Sequence, residues 1–487
     1  MKNLKDILYK VAIESVNGTT NIDIESISFD SRKVKSNSLF VAQKGLIYDG
    51  NKFIDAAIDK GAKVIICEEY PEKKIVPITY VQVANCDEAL AIIASNFYNN
   101  PSENLKLVGV TGTNGKTTIA TLLYELFKKA GYKVGLLSTI KIMIDDIEEP
   151  TTHTTPDSVV INKVLQEMVL NGIDFCFMEV SSHGIDQKRT AGLHFEGAIF
   201  TNLTHDHLDY HKSFAAYRDV KKSFFDNLPK SAFALVNIDD KNAGIMVQNT
   251  VAKKYTYALK TIADYKLRIL ENQFSGLLLS IDNQEFWTKL IGNFNAYNLL
   301  AIYGASDLLG LDKLEILRII SELENVDGRF QHAVSTGGIN SIVDYAHTPD
   351  ALKNVLETIN IIRTHNEQVI TVVGCGGDRD KTKRPKMGHI ASALSNQVVF
   401  TSDNPRSENP DLIIKDIEVG VAPENYKKTI SISDRRQAIK TACKLADSGD
   451  IILIAGKGHE TYQIIGDVKA DFDDFKIVNE ILKELNK

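Results

Sequence analysis

The sequence predicts an α/β protein of three domains whose sheets are mostly parallel. The chain has 487 residues, and at roughly 150 residues per domain this length suggests about three domains. Short apolar runs alternate along the chain with segments of helical spacing, which is typical of strand–helix–strand units. Several apolar runs lead directly into glycine-rich or polar loops, and ligands of such sheets bind beyond the carboxyl ends of the strands.

Composition narrows the functional classes. The 56 Lys and Arg residues and 63 Asp and Glu residues give a net charge of −7. The sequence has no strongly basic domain, which argues against nucleic-acid binding. The sequence has neither a signal peptide nor about 18 consecutive apolar residues, which argues against a membrane partner. The five cysteines are scattered without a CxxC pair, as expected of reduced thiols in a cytoplasmic protein. We expect a monomer.

Residues 1–100 form the first predicted domain, an α/β unit. A helical pattern between its first two strands ends at Gly61. A second helical pattern ends at the Asn-Asn-Pro-Ser cluster of residues 99–102, which marks the boundary. Apolar runs predict strands over 38–42, 63–67 and 78–83.

Residues 101–331 and 332–487 form the second and third predicted domains. In the second, a strand over 107–110 passes through a glycine-rich turn into a helix that Gly131 closes, and the next boundary lies near Arg329–Val334. Further strands of this domain are predicted over 175–180 and 198–202. In the third domain, three apolar strands lead into the loops GCGGDRDKTKRP, DNPR and GKGHE, which together indicate a binding site. Those strands are predicted over 369–373, 398–402 and 451–455.

A phosphate-binding loop is predicted after the strand over 107–110. Its sequence, VTGTNGKTT (110–118), is a variant of the usual motif, with its first glycine at 112 rather than 110. Lys116 would reach the β- and γ-phosphates, and Thr117 would offer a hydroxyl to Mg²⁺. A chance Gly-Lys-Thr turn is the alternative, but the strand–loop–helix context favours a nucleotide site. The candidate loop residues are Gly112, Thr113, Asn114, Gly115, Lys116, Thr117 and Thr118.

Candidate metal ligands lie in two further segments. Glu179 ends the strand over 175–180, where a nucleotide site needs a carboxylate for its metal; a solvated glutamate is the alternative. The segment TNLTHDHLDYH (201–211) is rich in imidazole and carboxylate groups, which also suit zinc. Because no cysteine accompanies it and the phosphate loop requires Mg²⁺, we assign His207 to the magnesium–nucleotide site. His205 and His211 are expected to be structural.

One lysine occupies a position where an apolar residue is expected. Ser213 is predicted to cap a helix on which Phe214, Tyr217, Lys221 and Phe224 share the inward face. A buried amine tends to lose its proton, and a neutral amine can react with CO₂ to form a carbamate that binds Mg²⁺. Spacing alone favours the simpler alternative, in which the stem of Lys221 packs inside and its ammonium reaches water.

Taken together, the motifs resemble those of the Mur ligases of peptidoglycan synthesis. The resemblance lies in VTGTNGKTT, MEVSSHG (178–184), TNLTHDHLDYH, GNFNAYN (292–298), DGR (327–329) and VDYAHTPD (343–350). A second set resembles the branch that adds diaminopimelate to the stem peptide: DSR (30–32), HTTPDS (153–158), GCGGDRDK (374–381), DNPR (403–406) and GKGHE (456–460). The resemblance implies an N-terminal UDP-binding domain, a central ATPase and a C-terminal Rossmann-like domain for the amino acid. It also implies that Lys221 is carbamylated.

The resemblance further implies roles for individual residues. Ser31 would contact the uridine end of the substrate. The muramoyl-peptide portion would be bound by Thr154, Thr155, Ser181, Gln187 and Arg189. Further nucleotide contacts would come from Asn295, Asn298, Arg329 and Asp344. The metal ligands would be Thr117, Glu179, His207 and Lys221. The catalytic candidates are Lys116, Glu179, His207 and Lys221. The amino-acid site would comprise Arg379, Asp403, Asn404, Pro405, Arg406, Gly456 and Glu460.

The implied activity is ATP-dependent amide formation between UDP-N-acetylmuramoyl-L-alanyl-D-glutamate and meso-2,6-diaminopimelate, through an acyl phosphate. Arg406 offers a two-pronged donor to the second carboxylate, by which diaminopimelate differs from lysine; the alternative is that Asp-Asn-Pro-Arg forms only a turn. Two related alternatives are a lysine-adding ligase, against which Arg406 argues, and a folylpolyglutamate synthase, which should lack the N-terminal domain and the DNPR loop. A P-loop kinase or switch that makes no amide is an alternative from another class.

Overall fold

The computed structural model describes residues 1–45, 49–151 and 153–487, apart from the side chains of residues 208 and 209. Within these ranges, large and mostly parallel sheets are covered by helices, so the predicted α/β class is confirmed. No helix in the described ranges combines the length and the apolarity needed to cross a lipid bilayer.

The N-terminal part of the chain is built on one sheet with parallel strands at its centre. Its elements are β1 (Lys2–Asn3), α1 (Leu4–Ile7), β2 (Ile13–Asn17), β3 (Asp23–Ile24), β4 (Ser26–Ser28), 3-10 turns at Ser31–Lys33 and Gly50–Phe53, β5 (Ser38–Val41), α2 (Ile54–Asp59), β6 (Ala62–Cys67), β7 (Thr79–Val83) and α3 (Cys86–Phe97). The strand order is β2-β7-β6-β5-β4, and β2 pairs antiparallel. The three predicted strands are confirmed as β5, β6 and β7.

The central part contains the largest sheet. Its elements are a 3-10 turn at Pro101–Glu103, β8 (Lys106–Thr111), α4 (Lys116–Lys129), β9 (Val134–Leu137), β10 (Ile142–Ile144), β11 (Ile147–Glu149), α5 (Ser158–Leu170), β12 (Phe175–Glu179), α6 (Ser182–Asp186), β13 (Gly197–Phe200), α7 (Leu208–His211), α8 (Phe214–Asp226), β14 (Phe233–Asn237), α9 (Ala243–Met246), β15 (Lys253–Ala258), β16 (Tyr265–Gln273), β17 (Gly276–Ile281), β18 (Gln284–Thr288), α10 (Asn293–Leu308) and α11 (Lys313–Glu322).

The strand order of this sheet places the candidate motifs side by side. The order is β11-β10-β9-β12-β8-β13-β14-β15-β16-β17-β18, parallel from β9 to β16. The phosphate loop follows β8, Glu179 ends β12, and the histidine segment follows β13. Because these three strands are parallel neighbours, their carboxyl ends meet at one edge. The antiparallel hairpins at either end of the sheet were not predicted.

Helix α8 follows the predicted pattern. The Ser213 side chain accepts a hydrogen bond from the Ala216 backbone N–H, as expected of an N-cap. Tyr217, Lys221 and Phe224 are buried. Because this inward stripe packs against the central sheet, it brings the amine of Lys221 beneath the phosphate loop.

The C-terminal part forms a third sheet, in the order β19-β20-β24-β21-β22-β23. Its elements are β19 (Gln331–Val334), β20 (Asn340–Asp344), α12 (Pro349–Ile362), β21 (Val369–Val373), α13 (Lys383–Leu394), β22 (Gln397–Phe400), α14 (Pro410–Glu418), a 3-10 turn at Pro423–Lys428, β23 (Thr429–Ser431), α15 (Arg435–Leu445), β24 (Ile451–Ala455), β25 (Tyr462–Ile465), β26 (Val468–Asp471) and α16 (Asp474–Glu484). The three predicted strands are confirmed as β21, β22 and β24. Strand β20 was missed because only Ile342 and Val343 form its apolar run.

Candidate active site

A cavity of about 1660 Å³ lies between the carboxyl ends of strands in the central and C-terminal sheets. Its lining from the central part includes Thr154, Thr155, Ser181, Gln187, Arg189 and His207. Its lining from the C-terminal part includes Arg379, Asp403, Asn404, Arg406, Gly456 and Glu460. Ser31 and Pro405 are absent from the lining formed by the described residues. Ser31 instead begins a 3-10 turn that Asp30 caps in the N-terminal part.

The phosphate loop connects β8 to α4 with two glycines that no larger residue could replace. Gly112 has a φ of 150°, and a Cβ there would lie 1.9 Å from Thr201 Oγ1. Gly115 has a φ of 91°, and a Cβ there would lie 2.7 Å from Asn298 Oδ1. Both positions therefore require glycine. The loop places the N-terminus of α4 at the edge of the sheet, and a helix N-terminus favours the binding of anions.

Lys116 folds back onto this loop. Its Nζ donates hydrogen bonds to the carbonyl oxygens of Gly112, at 3.0 Å, and Thr113, at 2.8 Å. Burial lowers the pKa of Lys116, and Glu179 acts in the opposite direction. Since both of these acceptors are neutral, a phosphate oxygen, which carries negative charge, would be a stronger acceptor for the Lys116 ammonium.

Glu179 is a buried carboxylate at the end of β12. Its Oε2 accepts from Thr117 Oγ1 at 3.0 Å, while Thr139 donates its backbone N–H to Oε1 at 2.7 Å and its hydroxyl to Oε2 at 3.1 Å. These donors are neutral, so a bound cation would compensate the buried negative charge. Carboxylate and hydroxyl oxygens suit Mg²⁺, and these residues therefore fit a magnesium ion.

Thr139 was not predicted from the sequence. It follows β9, the parallel neighbour of β12, so it belongs to the same edge of the sheet as Glu179. The strand-end rule that indicated the other loops would have found it. Its hydroxyl oxygen also lies 3.0 Å from Thr154 Oγ1, whose own hydroxyl can donate to it.

His207 faces the cavity with a left-handed backbone φ of 52°. Its ring meets the ring of His183 edge to face, with centroids 4.8 Å apart. Burial lowers the pKa of His207 to about 4, so the imidazole is neutral near pH 7, which is the form that binds metals.

The other histidines of the segment pack against neighbouring side chains. His211 is buried with its Nε2 2.9 Å from Ser182 Oγ, and the His205 ring lies 5.0 Å from that of Phe214. Among the residues that the structure describes, no group of three or more His, Cys, Asp or Glu side chains could hold a metal. The side chain of Asp209, part of the same motif, lies outside the described residues.

The Lys221 amine is enclosed beneath the phosphate loop. The residue is 1 % exposed, so the alternative in which its ammonium reaches water is wrong. Its Nζ donates to the Gly112 carbonyl at 2.9 Å and to Thr111 Oγ1 at 3.3 Å. Burial, reinforced by the nearby Lys116, lowers the pKa of Lys221 well below its usual value. A neutral, nucleophilic amine is the form that reacts with CO₂.

The segment that enters the C-terminal part also reaches the phosphate loop. Arg329 Nη2 donates to Thr117 Oγ1 at 3.0 Å, and Asp344 Oδ2 accepts the Phe330 N–H at 2.6 Å. Burial raises the pKa of Asp344 to about 6, and Arg329 acts against that shift. Arg329 is thereby brought to the phosphate loop, and Asp344 holds the residue next to it. That these two residues contact the nucleotide stays a prediction.

The two predicted asparagines of α10 lie together beside the same loop. Asn298 Nδ2 donates to Asn295 Oδ1 at 3.0 Å, and Asn295 Nδ2 donates to the Ile291 carbonyl at 2.9 Å. Both residues are buried. Asn298 lies directly against Gly115, as the contact of a Cβ there shows.

The side chains assigned to the muramoyl peptide form a second connected group. Thr155 Oγ1 donates to the Glu179 carbonyl at 2.9 Å and accepts the Ser181 N–H at 2.9 Å. Arg189 donates to Gln187 Oε1 through Nε, at 3.1 Å, and Nη2, at 2.6 Å. Its Nη1 donates to the Thr155 carbonyl at 2.5 Å. These residues therefore adjoin the carboxylate expected to hold the metal.

At the opposite side of the cavity, Arg406 spans two loops of the C-terminal sheet. Its Nη1 donates to the Gly377 carbonyl, in the loop after β21, at 2.7 Å. The residue has a left-handed φ of 51°, and its neighbour Pro405 packs its carbonyl against Gly377 instead of lining the cavity. Arg379 lines the cavity from the loop after β21.

Two carboxylates accompany Arg406. Asn404 Nδ2 donates to Glu460 Oε2 at 2.7 Å, while Asp403 Oδ1 is buried without a hydrogen-bond partner among the described residues. Gly456 has a φ of 116°, and a Cβ there would lie 3.1 Å from Asp403 Oδ2. Lys457, in the same GKGHE motif but not singled out from the sequence, lies 3.2 Å from Glu460 Oε2. Guanidinium and carboxylate groups side by side suit a zwitterionic ligand.

Known proteins match this chain over nearly all of its length. Three family descriptions match in succession: Mur ligase family, catalytic domain, over residues 23–98; Mur ligase middle domain, over 110–306; and Mur ligase, glutamate ligase domain, over 328–458. The chain is 54% identical over 485 residues to the UDP-N-acetylmuramoyl-L-alanyl-D-glutamate–2,6-diaminopimelate ligase of Cytophaga hutchinsonii, spanning 99% of this chain and 100% of that one. It is 52% identical over 478 residues to the Bacteroides thetaiotaomicron protein of the same name, spanning 98% and 99%.

A solved structure of a ligase with that name agrees with these sequence matches. It is 31% identical, with a TM-score of 0.69 over 100% of this chain and 99% of the other. The chain belongs to the Mur ligase family, and the resemblance drawn from its motifs is confirmed.

Proposed function

We propose that this protein uses ATP to join an amino group of meso-2,6-diaminopimelate to the D-glutamyl carboxylate of UDP-N-acetylmuramoyl-L-alanyl-D-glutamate, in peptidoglycan precursor synthesis. One observation carries the proposal. At one side of a single cavity, the lining residues Thr139 and Thr155 hydrogen-bond to Glu179, which in turn accepts from Thr117 of the phosphate loop. Arg406, Asp403 and Glu460 line the other side of the same cavity. The relatives named for this reaction align from end to end with this chain, which supports the same substrates.

The reaction needs an activated carboxylate, because a carboxylate and an ammonium condense unfavourably in water. In the first step a D-glutamyl carboxylate oxygen attacks the γ-phosphorus of ATP, the bond to ADP breaks, and an acyl phosphate forms. In the second step the neutral amine attacks the acyl carbon, giving a tetrahedral intermediate. That intermediate expels inorganic phosphate, which carries away the former carboxylate oxygen, and the new amide nitrogen loses a proton.

The residues of this chain contribute mainly position and charge. The phosphate loop and Lys116 would bind the β- and γ-phosphates, and Arg329 would add a second cation from the C-terminal side. Thr155, Ser181 and Arg189 would hold the muramoyl peptide next to them. Preorganised donors of this kind stabilise charge that develops in the transition state.

Magnesium and a modified lysine complete the proposed site. Thr117, Glu179, His207 and Lys221, the last as its carbamate, would hold Mg²⁺, which neutralises phosphate charge when bound. The carbamate would form by attack of the neutral Lys221 amine on CO₂ with loss of one proton. The burial of Lys221 and the lowered pKa of its amine support that modification.

The three predicted domains, 1–100, 101–331 and 332–487, are part of the proposal. The separate sheets of these regions support the division, although Gln331 already belongs to β19. Because the cavity lies between the second and third regions, we infer that they close on the nucleotide. We propose a cytoplasmic monomer.

An isotope experiment tests the chemistry directly. The UDP-muramoyl dipeptide is labelled with ¹⁸O in its glutamyl carboxylate and incubated with ATP and meso-diaminopimelate. We expect label in the released phosphate and an amide product that depends on the diamino acid. A parallel panel with L-lysine and other diamino acids distinguishes the lysine-adding alternative. Phosphate without label, or phosphate release that needs no amino acid, would contradict the proposal.

A further inference from the structure

Lys457 is a buried lysine for which the reaction outlined above has no role. It follows Gly456 in the loop after β24, and its side chain is 0% exposed. Its Nζ lies 3.2 Å from Glu460 Oε2, 3.8 Å from Asp403 Oδ1 and 3.3 Å from Asn404 Oδ1. One ammonium therefore contacts polar side chains from both the DNPR and the GKGHE loops.

The charges around this ammonium do not cancel. Asp403 and Glu460 contribute two negative charges and Lys457 one positive charge. The other buried cation nearby, Arg435, is already paired, since it donates to both carboxylate oxygens of Asp474 at 2.8 and 2.7 Å. Arg406 lies beside this group, but it donates to the Gly377 carbonyl and is the residue assigned to the ligand carboxylate. Asp403, Glu460 and Lys457 by themselves therefore retain one negative charge, and the buried Asp403 Oδ1 lacks a hydrogen-bond donor within the described part of the chain. The ammonium of a bound ligand would neutralise this charge and supply a donor to Asp403 Oδ1.

Lys457 also helps to fix the orientation of Glu460. Its ammonium and Asn404 Nδ2 both donate to Glu460 Oε2, at 3.2 and 2.7 Å. Burial and the neighbouring Asp403 raise the pKa of Glu460, and Lys457 acts against that shift. Without the lysine, Glu460 would lose both a hydrogen-bond partner and the nearest charge that favours its ionised form.

We propose that Lys457 is a positioning residue that sets amino-acid specificity, because it cancels one carboxylate charge and so admits a ligand carboxylate beside the ligand ammonium. This inference rests on the proposed function. The far end of diaminopimelate carries an ammonium and a carboxylate, whereas that of lysine carries an ammonium alone. Two uncompensated acids would repel the carboxylate of diaminopimelate next to Arg406 but would still attract the ammonium of lysine.

The test is a comparison of amino-acid selectivity in full-length Lys457→Met. We expect KM for meso-diaminopimelate to rise roughly tenfold or more, with KM for ATP and for the UDP-muramoyl dipeptide unchanged. The ratio of kcat/KM for diaminopimelate to that for L-lysine should fall by a similar factor. Lys476→Met, which removes a lysine 74% exposed on α16, is the matched control and should retain the wild-type ratio.

A double variant separates charge from simple damage to the fold. Lys457→Met combined with Glu460→Gln restores a single negative charge on the group, and replacing both partners of a buried pair is tolerated better than removing one. The double variant should therefore recover part of the selectivity lost in Lys457→Met, beyond the product of the two single effects. Unchanged selectivity in Lys457→Met, or purely multiplicative effects, would overturn the inference. Failure of the wild-type enzyme to use diaminopimelate would instead refute the proposed function.

Discussion

Two buried lysines on opposite sides of the cavity lie in contrasting environments. Lys221, beneath the phosphate loop, donates to a carbonyl and a hydroxyl oxygen, whereas Lys457 lies within 4 Å of two carboxylates. Burial and the nearby Lys116 lower the pKa of Lys221 and favour its neutral, reactive form, whereas the side chain of Lys457 forms ion pairs with the carboxylates beside it. The difference teaches that burial alone does not assign a role to a lysine; the charges around it do.

The same contrast separates the two sides of the site as a whole. On the nucleotide side, Lys116 and Lys221 bond to neutral oxygens, so their charge or reactivity is available to a ligand. On the amino-acid side, Lys457 and Arg435 already form ion pairs with carboxylates of the protein. Substitutions of the two lysines on the nucleotide side should therefore strongly reduce turnover, and substitutions of charged residues on the amino-acid side should mainly change which amino acid is used.

The largest effect is expected from Lys116→Ala. Removing a preorganised donor to the transferring phosphoryl group costs about a thousandfold in rate, so ATP-dependent amide formation should be nearly abolished while the fold persists. Coupled measurement of ADP release, with circular dichroism as the folding check, decides this. Lys129→Ala, at the exposed end of α4, should remain active. Turnover of Lys116→Ala within tenfold of wild type would remove the contrast between the two sides.

Lys221→Ala tests whether the amine acts through a carbamate. We expect a loss of about a hundredfold in kcat, because one metal-binding anion is missing, and partial rescue by an added short-chain carboxylate that fills the space. Lys222→Ala is the control: its amine pairs with Asp226 at 2.6 Å on the same helix, and it should behave as wild type. Full activity of Lys221→Ala without rescue would show that the amine is merely structural.

These two predictions show what could be inferred from the sequence. The phosphate loop, Glu179 and Lys221 were predicted because each belongs to a local pattern: a glycine spacing, a strand end or a helical stripe. Burial of Lys221 followed from the stripe, but spacing could not show that its ammonium stays enclosed. That outcome depends on how α8 packs beneath the loop after β8.

The amino-acid side was less accessible to sequence reasoning. Its side chains come from loops after β21, β22 and β24, and their contacts depend on how those loops pack together. Lys457 could not be predicted from periodicity, because a residue in a loop does not belong to a helix or strand face whose burial the sequence indicates. Thr139 was missed for a different reason, since the strand before it was not recognised. Long-range packing, rather than local propensity, determines these positions.

Arg406→Ala tests the amino-acid side. A charged hydrogen bond is worth about 1.5–3 kcal/mol, so KM for meso-diaminopimelate should rise by roughly 10–100-fold, while activity with L-lysine should gain little. Arg436→Ala, which removes a half-exposed arginine from α15, provides the control. An unchanged KM for diaminopimelate would mean that Arg406 is not the group that binds its second carboxylate.

The smallest effect is expected from Thr139→Val, on the nucleotide side. The substitution removes the hydroxyl donor to Glu179 Oε2 but keeps the backbone N–H that donates to Oε1 at 2.7 Å. Because one neutral donor is lost and the carboxylate keeps its position, we expect about 1 kcal/mol, or roughly a fivefold loss of kcat. The same substitution should also raise the Mg²⁺ concentration needed for half-maximal activity. Thr441→Val, on the surface of α15, is the matched control. A loss as large as that of Lys116→Ala would mean that the Thr139 hydroxyl itself contacts a substrate, so neutral groups on this side would matter as much as charged ones.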